Sequence, residues 1–122
     1  MKTIYYAHPM YLYGTPQEKR DIELLERLGF EVINPNSEPY ISEYQKEIDE
    51  GRHTMDYWTR LASACDAIAF RGNPDGSILS GVGAEITKNS DMPIIELPSM
   101  IQNRIIKDVE VTRQYLKEIG QR

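Results

Sequence analysis

Apolar residues along this chain fall in short runs, separated by segments whose apolar positions recur with a helical period. "KTIYYA" (2–7) is β-branched and aromatic and ends at His8-Pro9, which predicts a first strand. "TPQEKRDIELLERLG" (15–29) predicts a helix, with Thr15 as N-cap, Pro16 at the first helical position and Glu18 two further in. Its apolar face is Ile22, Leu24, Leu25 and Leu28, and Gly29 ends it. "FEVINP" (30–35) predicts a second strand stopped by Pro35. A strand-helix-strand order favours parallel pairing through a right-handed crossover.

Residues 39–50 are polar, with Tyr40, Tyr44 and Ile48 at helical spacing, and predict a short, partly exposed helix. "TMDYWTRLASAC" (54–65) predicts another helix with Met55, Trp58, Leu61 and Ala62 turned inward. "DAIAF" (66–70) is apolar on both faces, as a central strand requires. A loop rich in Gly, Asn, Pro, Asp and Ser (71–81) leads to a helix at 82–90 and a strand at 92–97. "QNRII" (102–106) reads as a short edge strand, and 108–120 as an amphipathic helix capped by Asp108. This alternation predicts one α/β domain over 1–122, a three-layer sandwich around a parallel sheet of four to five strands. Ligands of such sheets bind beyond the carboxyl ends of the strands, where "AHPMYLYGT", "NPNSEPY" and "RGNPDGSILSGVGAE" gather Tyr, Asn, Asp, His and Gly.

Composition narrows the partners. A 122-residue chain with 40% hydrophobic and 27% charged residues is ordinary for a globular domain. Its net charge of -5 argues against binding a nucleic-acid polymer, yet leaves room for a small nucleoside or nucleotide held by a few donors. Cys65 is the single cysteine, so no internal disulfide is expected. No signal peptide and no membrane-length apolar run is apparent, which points to the cytoplasm. His53 lacks metal-ligand spacing, and neither a metal nor a cofactor is expected.

The chemistry concentrates in "SGVGAEI" (80–86). An acidic Glu85 near a helix start can simply complement the helix dipole. Two glycines just ahead of it are not needed for that purpose; they let a ligand approach the backbone. A carboxylate beside such a turn suits attack on a sugar carbon, with a glycosyl-enzyme intermediate. A phosphate cradle is the competing use, although "GxGxxG" spacing and the Walker lysine are both missing.

"IYYAHPM", "GFEVINP", "ACDAIAF" and "SGVGAEI", in that order over residues 2–97, resemble the nucleoside 2-deoxyribosyltransferase-like proteins, which include 2'-deoxynucleoside 5'-monophosphate N-glycosidases and small phage and bacterial relatives. The resemblance implies a flavodoxin/Rossmann-like fold, no cofactor, and an N-glycosidic bond cleaved or transferred by a glutamate, which matches Glu85. It also implies that Tyr5 orients the nucleophile and that neighbouring subunits complete the site in a homodimer or larger assembly. The chain reads "AHP" where relatives often read "AGP", placing His8 near the sugar. A proton donor for the departing base is expected at Asp56 or Asp75. Substrate contacts are expected at Ala7, His8 and the glycines Gly72, Gly81 and Gly83, with Ser80 ahead of the turn. Arg71 is either a phosphate-binding cation or a solvated strand-end charge. A catalytically silent nucleotide-binding protein and a purely structural oligomerising domain are the rival readings.

Overall fold

A computed structural model describes residues 1–97 of the chain, so the strand expected at 102–106 and the helix at 108–120 lie outside the described residues. Strands β1 (Lys2–Ala7), β2 (Phe30–Ile33), β3 (Ala67–Phe70) and β4 (Ile94–Glu96) alternate with helices α1 (Pro16–Arg27), α2 (Tyr40–Asp49), α3 (Thr54–Ser63) and α4 (Ser80–Lys88). The sheet is wholly parallel in the order β2-β1-β3-β4, with Tyr5 opposite Ile33 on one side and Ile68 on the other. That is the Rossmann-like, doubly wound arrangement, whose direction of winding reverses between β1 and β3.

Local chemistry explains most boundaries. Thr15 is extended and its hydroxyl accepts the Glu18 N–H at 3.3 Å, while Pro16 opens α1 without losing a hydrogen bond. After α1, Gly29 turns the chain at φ +97°, a left-handed conformation that a side chain would strain. The pleat of β1 then divides its residues between two cores. Ile4 and Tyr6 pack with Leu25, Ala67, Ala69 and Leu97 on the α1 side; Tyr5 and Ala7 pack with Ala62, Ile68, Phe70 and Val82 on the α3 and α4 side. With helices on both faces the three layers follow, and each fully buried Ile or Leu contributes about 1.5–3 kcal/mol of hydrophobic stabilisation.

Two expectations change. Helix α4 begins at Ser80, two residues ahead of the expected start, because Leu79 (φ -63°, ψ 147°) is the last extended residue. Gly81 and Gly83 therefore lie within the first turn of the helix instead of preceding it. In α3 the inward face is rotated: Tyr57, Thr59 and Ala62 are buried, whereas Met55, Trp58 and Leu61 are half-buried.

Candidate active site

The first turn of α4 lies beside the carboxyl end of β1, and together with the start of α3 they wall a cavity of about 350 Å³. That size is within the range of small-molecule sites, and its place matches the winding reversal of the sheet. His8 enters from the end of β1 and Tyr13 from the loop after it. Tyr44 comes from α2, Trp58 from α3, and Ser80, Gly81 and Glu85 from α4. A second concavity, of about 390 Å³, runs between α2 and α3 over charged side chains including Glu43, Glu47 and Arg60. Arg60 is paired there with Glu47, and the groove contains no buried group in want of a partner.

The first cavity contains one. Glu85 is 6 % exposed, and its Oε2 is buried with no hydrogen-bond partner among the described residues. Burial pushes its carboxyl up to about 7, with hydrogen bonding from the neighbouring Tyr5 hydroxyl acting in the opposite direction. Tyr5 is itself raised well above the ordinary tyrosine range, first by burial and then by the charge of Glu85. Orphaned buried carboxylate oxygens are uncommon because desolvation is expensive, so their retention needs a reason. Here the carboxyl forms part of the wall of a cavity.

Around it the wall is aromatic. Tyr44 and Trp58 stack with ring centroids 4.7 Å apart and planes 24° from parallel. Tyr13 tilts against His8 at 4.9 Å, and burial pushes its hydroxyl up to about 12. The His8 ring lies flat on Tyr6, with centroids 3.7 Å apart. Its Nδ1 is 2.9 Å from the Tyr6 carbonyl oxygen, so that nitrogen carries a hydrogen. Its Nε2 is 2.8 Å from a Glu18 oxygen. Glu18 also accepts the Gly14 N–H at 3.2 Å and hydrogen bonds from the Asn36 amide. Burial lowers the imidazole below its ordinary value, opposed by these bonds to Glu18 and the Tyr6 carbonyl.

The remaining expected site residues are elsewhere. Arg71 is fully buried and does not line the cavity. Its Nε and Nη2 fork onto Asp21 at 2.6 and 2.7 Å, and Asp21 further accepts Tyr6 Oη at 2.5 Å and Gln17 Nε2 at 2.8 Å. Of the two uses read from the sequence, a solvated charge is ruled out by burial, and the fork ties β3 to α1. Asp56 is exposed on α3, and Asp75 is exposed in the loop, where Oδ1 accepts the Ser77 N–H at 2.9 Å and its hydroxyl at 2.6 Å. Neither carboxylate lines the cavity. Ala7 is buried in the core on the α3 and α4 side and does not line the cavity, and a Cβ on Gly72 would come within 3.1 Å of the Ser77 carbonyl oxygen, so that glycine serves the packing of its own loop.

Of the two helix glycines, only Gly81 lines the cavity; a Cβ there would sit 3.6 Å from Met55 Sδ, an ordinary contact. A larger side chain at that point fills cavity space while the fold accommodates it. Gly81→Val is expected to cost activity or ligand affinity at least about tenfold and to move the melting temperature by only a few degrees. Thermal denaturation measured beside turnover checks this, and a parallel loss of both would make the glycine a packing device.

Spacing alone does not mark Trp58, Tyr44 and Met55 as site residues. An aromatic at helical period looks like core, and the one available signal is Tyr44 on a largely polar helix. Among the described residues no helix is long and apolar enough to cross a membrane, and no group of three His, Cys, Asp or Glu side chains is gathered as a metal site. The fold and cavity thus define a Rossmann-like α/β protein with a buried carboxyl in an aromatic-walled pocket. Comparison of the chain with family models, curated proteins and solved structures finds no match.

Proposed function

We propose that this chain cleaves or transfers the N-glycosidic bond of a nucleoside or nucleotide, with Glu85 as nucleophile. One observation carries the reading: a desolvated carboxyl with an unpartnered oxygen at the wall of a cavity fit for a stacked base. In the proposed reaction a Glu85 oxygen bonds to C1' as the bond to the base breaks, and water or a second base then takes the sugar. Tyr5 holds the carboxylate in position and the base stacks on the outer side of the Tyr44–Trp58 pair; stacking on an aromatic side chain is worth about 1–3 kcal/mol per base. A substrate phosphate, where present, would meet Ser80 and the N–H groups of the first turn of α4, which has no side-chain cap. Met10 and Leu79 leave apolar surface exposed at the cavity, and the proposal includes a homodimer covering it. Light scattering at micromolar concentration checks that part, a monomer counting against it.

Incubation with deoxynucleosides, ribonucleosides and their monophosphates, with and without a second free base, tests the reading. Free base alone identifies a hydrolase and an exchanged nucleoside a transferase. Tight binding without turnover would instead favour the silent binding protein, a reading supported by the absence of Asp56 and Asp75 from the cavity.

The carboxyl also sets a pH profile. Glu85 attacks only when ionised, and its raised pKa leaves it largely protonated below neutrality. kcat/KM is expected to rise about tenfold per pH unit below about 7 and to level off above it. A profile flat from pH 5 to 8 would remove Glu85 from the nucleophilic role.

A further inference from the structure

Breaking the bond between a sugar carbon and a neutral nucleobase leaves negative charge on the base, and that departure needs a proton donor. Asp56 and Asp75 are exposed and outside the cavity, and Asp75 is engaged with Ser77. His8 lines the cavity, but its two ring nitrogens face the Tyr6 carbonyl and Glu18, so neither is directed at a bound base. The Tyr13 hydroxyl, pushed up to about 12, is a poor acid at neutral pH. Among the described residues the cavity wall therefore carries a single carboxyl, Glu85, and no lysine or arginine. What it does offer is an aromatic lining, Tyr13 with the Tyr44–Trp58 pair. Aromatic faces in a cavity without cationic side chains attract a cation, and best of all one that is flat.

We propose that the site takes N-glycosides whose base already bears a positive charge: a pyridinium such as a nicotinamide riboside, or a purine alkylated at N7. The inference rests on the N-glycosidic reading above and specifies its substrate class. A Glu85 carboxylate oxygen forms a bond to C1' while the C1'–N bond breaks. The electron pair of that bond passes to the ring nitrogen and cancels its charge, so the base leaves neutral and no acid is required. Water then attacks C1', the ester C1'–O bond breaks to regenerate the carboxylate, and the surplus proton of the water passes to solvent. The sum is cationic glycoside plus water giving neutral base, free sugar and one proton.

Guanosine and 7-methylguanosine differ by this charge at nearly constant shape, and nicotinamide riboside supplies the pyridinium arm. The full chain is incubated with each, released base is separated by chromatography, and every rate is divided by that substrate's own rate without protein. The expected result is an acceleration at least about 100-fold greater for one or both cationic substrates than for guanosine, abolished in Glu85→Gln. The arm that responds identifies the pyridinium or the alkylated purine. Trp58 is the single tryptophan of the sequence, so quenching of its fluorescence in Glu85→Gln by the cationic substrate, and more weakly by guanosine, reports the same preference without turnover. Equal acceleration of guanosine and 7-methylguanosine overturns this inference and leaves the N-glycosidic reading standing. Release of base from none of these and from no nucleoside of the wider panel overturns both.

Discussion

Glu85→Gln is expected to abolish turnover and, at the same time, to make the protein more stable at alkaline pH. Loss of a covalent nucleophile costs at least about 10³-fold in kcat, with substrate binding affected far less. Stability moves the other way because the folded protein holds this carboxyl protonated up to about 7, against an ordinary value of 4.5. The sign follows from linkage. Below pH 4.5 the group is neutral in both states and carries no penalty. As pH rises from 4.5 to 7 the unfolded chain releases the proton while the folded chain retains it, so folding stability falls, and above 7 the loss is complete. A shift of this size corresponds to about 3 kcal/mol. A glutamine of the same shape does not titrate, so the stability of the variant relative to the parent should improve by about 2–3 kcal/mol between pH 5 and pH 8. Urea denaturation of both proteins at the two pH values measures it. A difference independent of pH would mean that the carboxyl is solvated and not held in a desolvated site.

The second large effect is predicted at Asp21. Its carboxylate receives the buried Arg71 fork together with Tyr6 and Gln17, all from positions with little or no solvent exposure. Asp21→Ala removes the carboxylate that receives the buried fork, and losing one partner of a buried ion pair typically costs about 3–5 kcal/mol, a large share of the stability of a small domain. Arg71→Ala strands the carboxylate and is expected to be as damaging. Replacing both with apolar residues of similar volume, Asp21→Leu with Arg71→Met, should recover much of the loss. Chemical denaturation of the two single variants and the double variant tests this. If Arg71→Ala keeps full stability and loses only affinity for a monophosphate, the residue belongs to ligand binding after all.

Features fixed by neighbours along the chain are legible in the amino-acid sequence. Thr15, Pro16 and Glu18 mark the start of α1 through contacts within one turn, and the parallel sheet follows from strands alternating with helices. Glu85 stands out because glycines beside a carboxylate are a local pattern. The use of Arg71 is not legible, since its partner is 50 residues away and nothing nearby in sequence announces a buried acid on α1. Trp58 escapes the sequence for a related reason. Spacing gives the period of a helix but not the angle at which it is laid on a sheet, and a modest rotation of α3 moves an indole from core to cavity wall. Asp56 and Asp75 qualify as acids by chemical type, and only the path of the backbone tells that they face solvent.

Tyr5 and Tyr6 are the same residue at adjacent positions of β1, and the pleat gives them unrelated occupations. The odd-numbered ring lies beneath Glu85, while the even-numbered one supports His8 and bonds to Asp21. Parity alone separates the two surroundings here. A slip of one residue in the pairing of β1 would exchange the two phenols without altering composition, and would leave each in the other's surroundings. The Asp21–Arg71 fork, which Tyr6 reaches only in the native phase of the strand, thereby acts as a register lock for a hydroxyl it never touches.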